Sequence, residues 1–204
     1  MDRRRFLLGA AAIPATRAFA NVPTPYDWDI SPPRQSRDAF VAWMVRNRGE
    51  DPRFLEQRWD RLQQIIAHHD IWDDADICAF LLTPREEFVT PENLDRAYEW
   101  HHLNIGFGVT ITGPHTVARM TNALSVKRSD KALEIGTGSG YQSAYLANLT
   151  PHVFSIEIIP ALAARTRGLY DRLIARGYVE YLAIRTRNAD GYYGWEEFAP
   201  FDKT

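Results

Sequence analysis

Cysteine is nearly absent from this chain of 204 residues: Cys78 stands alone, which excludes an internal disulfide. It reads as a small core-filling residue. There is no excess charge of either sign. With a formal net charge of −2, no basic field invites nucleic acid or an anionic membrane surface. Long apolar runs are missing too, and the stretch from Phe6 to Ala12 is too short for a stable membrane anchor. Internal repeats and low-complexity tracts are absent. Structural zinc sites favour cysteine, and adjacent side chains such as His68-His69 or His101-His102 diverge, so no metal site is expected. What remains is ordinary globular composition, 45% hydrophobic and 25% charged, long enough for one large or two small domains.

The first residues read as a targeting segment. Arg3-Arg4-Arg5-Phe6-Leu7 opens an apolar stretch, and Ala18-Phe19-Ala20 supplies small residues for cleavage. The pattern over 1–20 resembles a twin-arginine export signal, which implies a periplasmic protein; a basic tail on a cytoplasmic protein is the alternative. Residues 21–34 hold Pro23, Pro25, Pro32 and Pro33 and read as an extended linker.

A helical region is expected over 35–110. Ser36 suits an N-cap, Phe40, Val41, Met44 and Val45 share one face, and Gly49 ends the helix. A second helix follows Pro52, with Phe54, Leu55, Trp59, Leu62, Ile65 and Ile66 on its apolar stripe, and a short third runs through Ile77, Phe80 and Leu81. Thr90 could cap a further turn opened by Pro91. Ile105 to His115 is a glycine-interrupted loop, and Pro114 opens a helix with Val117, Met120 and Leu124 facing inward. Thr112 then sits near a helix N-terminus, its hydroxyl available to cap or to touch a ligand.

From Lys131 the pattern alternates strand, helix, strand, helix, strand. The strands are Lys131–Ile135, His152–Glu157 and Val179–Ile184; the helices are Tyr141–Leu149 and Pro160–Arg176. This defines an α/β fold with a Rossmann-like, doubly wound parallel sheet over 111–204. The first strand leads into Gly136-Thr137-Gly138-Ser139-Gly140. Glycines at alternate positions remove the Cβ atoms that keep a ligand from the backbone, and the next helix aims free N–H groups at the gap. Glu134 before this turn argues against pyrophosphate and for a cationic ligand bearing hydroxyls. Glu157, seventeen residues after Gly140, ends the second strand where a ribose diol would be held, and Asp190-Gly191 follows the third. Pro200-Phe201-Asp202 looks like the entry to a fourth strand, so the sheet reads as incomplete at its C-terminus, with one edge of the first strand unpaired.

Several local patterns then add up. Ala79-Phe80-Leu81, Pro84-Arg85-Glu86-Glu87-Phe88-Val89 and Ala97-Tyr98 come first, followed by Thr110-Ile111-Thr112-Gly113-Pro114-His115. Leu133 to Gln142, Asp190-Gly191, Gly194-Trp195 and Ala199-Pro200-Phe201-Asp202 complete the run. In this order the chain from about Arg58 to Asp202 resembles the protein-L-isoaspartate O-methyltransferases. The resemblance implies methyl transfer from S-adenosylmethionine to the free carboxylate of isoaspartyl, and by extension D-aspartyl, residues in damaged proteins and peptides. By the same carry-over Thr112 would face the acceptor, where the family usually has serine. Glu134 and the turn Gly136, Thr137, Gly138 and Gly140 would hold the cofactor's amino-acid end, Glu157 its ribose, and Asp190 with Gly191 its adenine edge, with Ile111 also among the cofactor-binding residues. A methyltransferase with a changed acceptor and an inactive fragment are the alternatives.

Overall fold

The computed structural model describes residues 26–204. The proposed export signal and residues 21–25 of the proposed linker lie outside the described residues.

Three helices form first: α1 (Arg37–Arg48), α2 (Pro52–Ala67) and α3 (Asp74–Leu82). Their ends follow local chemistry. Ser36 Oγ accepts from Ala39 N at 3.2 Å, Gly49 closes α1 at φ 65°, and Asp51 caps α2 one residue before Pro52. Phe40 and Met44 are fully buried, whereas Val45 is 40% exposed, a correction to its expected place on the inner face. The inner stripe of α2 also holds a charge. Arg58 is fully buried and donates to Glu50 (2.6 Å), Glu86 (3.0 Å), the Tyr98 hydroxyl (2.8 Å) and the Leu81 carbonyl (2.8 Å). One guanidinium thereby ties α2 to the end of α3 and to the 3-10 turn Arg85–Phe88. Two carboxylates on a buried cation offset much of its desolvation.

Residues 26–34 are docked rather than free, which corrects the linker expectation for this part. The Tyr26 hydroxyl donates to Asn148 (2.5 Å), the Trp28 indole N–H to the Ala147 carbonyl (3.0 Å), and Arg34 pairs with Asp74 (2.7 Å).

The glycine-interrupted loop is a hairpin of β1 (Leu103–Asn104) and β2 (Thr110–Ile111), followed by α4 (Pro114–Leu124). A three-stranded parallel sheet then forms from β3 (Ala132–Ile135), β4 (Val153–Glu157) and β5 (Ile184–Asn188), with α5 (Tyr141–Leu146) and α6 (Pro160–Ala175) as crossovers. Strand residues alternate between two apolar clusters. Ala132, Val153 and Ile184 join the large core shared with the helices, while Leu133, Phe154 and Ile156 pack with Trp195, Phe198 and Phe201 on the other face.

Two expectations change here. The apolar run Val179–Ala183 is a 3-10 turn, and the strand starts only at Ile184. Tyr178 and Tyr181 are drawn into the main core, and buried Glu180 pairs with Arg48 at 2.7 Å, so the run packs as a plug. The true strand is polar, and among the described residues it is the edge of the sheet. Its Arg185 and Arg187 lay guanidinium groups over the Phe154, Phe198 and Trp195 rings at 5.1–5.7 Å. Likewise the outer edge of β3 is not bare. Lys203 bridges Ala132 in parallel, Leu133 N donates to Lys203 O (2.9 Å) and Asp202 N to Lys131 O (2.9 Å). The order therefore reverses across β3, which makes its C-terminal end the switch point where doubly wound sheets bind ligands.

Candidate functional site

At that switch point β3 ends at Ile135 and the chain turns through Gly136, Gly138 and Gly140, at φ 91°, 55° and 90°. Such left-handed residues are strained for any side chain but glycine. Neighbours pin the turn from three sides. Gly136 N and Thr137 N donate to Ile156 O (2.8 and 3.2 Å), and the Thr137 and Ser155 hydroxyls meet at 2.6 Å. Thr166 and Tyr170 on α6 donate to the carbonyls of Gly138 (2.7 Å) and Gly140 (2.9 Å). Buried Glu157 accepts from Gly138 N (2.8 Å) and Ile159 N (2.9 Å).

The glycines divide by purpose. A Cβ on Gly136 would meet nothing within 4 Å, and one on Gly138 only ordinary contacts, so both leave room for a ligand. On Gly140 it would lie 2.5 Å from the Tyr170 hydroxyl and 2.7 Å from Thr166 Cγ2, so this glycine admits α6. Gly191 is a packing glycine as well, since a Cβ there would collide with Ile135 Cγ2. Asp190 beside it caps the following turn, accepting from Tyr192 N at 2.9 Å.

Glu134 accepts from Ser143 Oγ and from Ser155 Oγ, the latter at 2.5 Å. Burial pushes its carboxyl up to about 7; the two serine hydroxyls pull it down and Glu157 pushes it further up. A half-buried acid poised this way gains most from a cationic partner.

The opposite wall comes from the hairpin. Ile111 is buried on β2, and Thr112 is exposed just before Gly113, which caps α4. The Thr112 hydroxyl is not the cap and makes no hydrogen bond among the described residues, while its carbonyl accepts from Arg85 Nη2 at 2.8 Å. A cavity of about 210 Å³ is lined by Ile111 and Thr112 on one side and by Glu134, Gly136, Thr137 and Gly138 on the other. Gly140, Glu157, Asp190 and Gly191 do not line it; they brace it or sit along the same sheet edge. Thr112 also borders a second opening of about 480 Å³, with Trp100, His102 and His115. The hydroxyl thus stands where two approaches meet. No cluster of three potential metal ligands occurs among the described residues.

Met120 and Gln142 belong to the motifs that carry the resemblance but were not among the expected site residues. Met120, expected in the core, is 57% exposed and lines the cavity, and Gln142 reaches across to the Thr121 hydroxyl (2.7 Å). An apolar period on α4 that outruns its core partners was the available signal for Met120. For Gln142 the signal was its place at the end of the Leu133–Gln142 motif.

A parallel sheet with a reversed strand order, a glycine turn at the switch point and acids along one edge define a Rossmann-like protein with a nucleotide-type cleft. The sequence profile of the family described as protein-L-isoaspartate(D-aspartate) O-methyltransferase matches residues 57–204, and the chain belongs to that family. It is 46% identical over 148 residues to a protein-L-isoaspartate O-methyltransferase of Picosynechococcus sp., covering 72% of this chain and 63% of the relative. A protein of the same name from Opitutus terrae is 44% identical over 147 residues, covering 72% and 60%. The chain thus spans about three fifths of the length of these relatives. A solved protein-L-isoaspartate O-methyltransferase superposes with a TM-score of 0.61 at 26% identity, covering 71% of this chain and 45% of that one. Another from Plasmodium falciparum, in complex with S-adenosyl-L-homocysteine, shares the fold at a TM-score of 0.56 and 21% identity, covering 68% and 65%.

Two outcomes follow. Gly140→Ala should destabilise the protein by about 2–4 kcal/mol through left-handed strain plus overpacking, and Gly136→Ala by about 1–2 kcal/mol from strain alone, measured by urea denaturation. The raised Glu134 group makes the native state hold more protons than the unfolded chain between about pH 4.5 and 7. Stability should fall as pH rises through that window, by up to about 3 kcal/mol from this group, and Glu134→Gln should remove that share. Buried Asp76, also pushed up to about 7 by burial, would keep a residual slope.

Proposed function

We propose that this chain transfers a methyl group from S-adenosylmethionine to the free carboxylate of isoaspartyl residues in damaged proteins and peptides. The observation that carries the reading is the shared cavity of Thr112 and the Glu134–Gly138 segment. Family membership supplies the chemistry.

The residues present fit this cofactor. Gly136 and Gly138 form a cradle that Cβ atoms would narrow, and Glu134 offers a carboxylate to an ammonium. Glu157 spends one lone pair of each oxygen on the turn and keeps others for ribose hydroxyls. Asp190 and Gly191, farther along the edge, would border the adenine. When bound, the cofactor supplies an electrophilic methyl on a positively charged sulfur. The acceptor carboxylate is ionised at neutral pH, so no residue need act as base. The chain's task is to align the acceptor oxygen and to exclude water. Thr112 would orient the carboxylate through its hydroxyl, with a stiffer χ1 than serine.

The test is transfer of labelled methyl from S-adenosylmethionine to an isoaspartyl peptide, with its normal aspartyl counterpart as control. Base-labile ester on the first peptide alone is expected, and Thr112→Val should lower kcat/KM about 10- to 100-fold. Ester on a different carboxylate, with the isoaspartyl peptide untouched, would indicate a changed acceptor.

The arginine-led segment over 1–20 supports an exported enzyme. Expressed in a bacterium with the twin-arginine route, the chain should be recovered from the periplasm shortened near Ala20, and Arg3→Lys/Arg4→Lys should retain it inside.

A further inference from the structure

Arg85 is buried as deeply as Arg58, but its surroundings are the opposite. Arg58 meets two carboxylates; Arg85 has no acid within ion-pair distance among the described residues. Its guanidinium donates through Nε to the Ala97 carbonyl (2.6 Å) and through Nη2 to the Thr112 carbonyl (2.8 Å), and Nη1 has no hydrogen-bond partner among the described residues. Its Cζ lies 4.7 Å from the ring centroid of Tyr141, the first residue of α5 after the glycine turn. One cation thus braces both walls of the cleft, behind Thr112 on one side and against the start of α5 on the other.

A buried charge left without a counter-ion costs several kcal/mol, so packing alone gives no reason for it. The peptide it holds is the one that opens α4. Its carbonyl points at Arg85, and its N–H is that of Gly113, the N-cap of α4, which donates to nothing among the described residues; Pro114 has no N–H, and Thr116 N and Val117 N already bond Gly113 O at 3.1 Å. Hydrogen bonding at one end of a peptide strengthens it as a donor at the other. A cation behind this peptide therefore makes the rim at Thr112 electropositive without placing a guanidinium against the acceptor. Direct ion pairing would hold the acceptor's charge and blunt it as a nucleophile. A charge relayed through the backbone draws the carboxylate in and leaves its oxygen free to react.

Resting on the methyl-transfer reading above, we propose that Arg85 is a positioning residue: its unpaired buried charge, acting through the Thr112–Gly113 peptide, selects an anionic acceptor at the rim of the cleft.

The experiment compares two peptides that differ in one group, an isoaspartyl peptide and its isoasparaginyl amide analogue, each titrated into the protein with S-adenosylhomocysteine present. The wild-type chain should prefer the carboxylate. Arg85→Met should lower isoaspartyl affinity about 10-fold or more, leave the amide within about two-fold, and leave S-adenosylhomocysteine affinity within about two-fold. Arg85→Lys keeps the charge and should retain the preference within about three-fold while kcat falls. Equal weakening of both peptides in Arg85→Met, as a purely structural brace would give, overturns the proposal. So does a lost preference in Arg85→Lys, which stands even if the methionine variant fails to fold. A wild-type chain that binds S-adenosylhomocysteine but neither peptide overturns the methyl-transfer reading itself, and the role of Arg85 with it.

Discussion

A backbone that turns left-handed at three alternate glycines cannot keep its own shape, and the carboxylate of Glu157 is what fixes it here. One oxygen takes the N–H of Gly138 and the other that of Ile159, so the ends of β3 and β4 are locked at one height. Ile156 O and the hydroxyls of Thr137 and Ser155 complete the lock. Everything on the sheet edge is then placed relative to this turn, including Glu134, the cavity and the start of α5. A turn held by the chain's own groups in this way lowers the entropy that ligand binding must overcome.

The N-terminal helices are not an appendage to this sheet. Arg58 gathers α2, α3 and Tyr98 into one buried charge network, and Tyr98 also accepts from the backbone N–H of Arg85 at 3.1 Å. Arg85 in turn grips the Thr112 loop. A continuous chain of polar contacts thus runs from the helical segment to the Thr112 wall of the cleft. The second wall is delivered by βαβ topology alone. The cleft is where a locally encoded motif meets a wall assembled from distant parts of the chain.

That difference explains what the sequence made legible. The helix caps at Ser36 and Gly49, the first-turn proline of α2, the glycine turn and the acids on the sheet edge all rest on local rules, and the structure has them where expected. Residues whose roles depend on long-range neighbours were harder to read. Val179–Ala183 has the composition of a strand, yet the pull of Tyr178 and Tyr181 into the core and the pairing of Glu180 with Arg48 override it. Gly140 and Gly191 look like ligand glycines until their contacts with Tyr170 and Ile135 are seen. Arg58 and Arg85 are indistinguishable from surface charges until the fold encloses them.

The strap over residues 26–34 has a consequence for handling the molecule. Tyr26 and Trp28 are clipped to Asn148 and Ala147, just beyond α5, and Arg128, shortly before β3, donates to the Trp28 carbonyl. These anchors belong to the end of the sheet where its strands begin, and the cleft opens where they finish. A bead, chip or fusion partner coupled ahead of Tyr26 would therefore hold the domain from its floor, with the mouth of the cleft turned to solution.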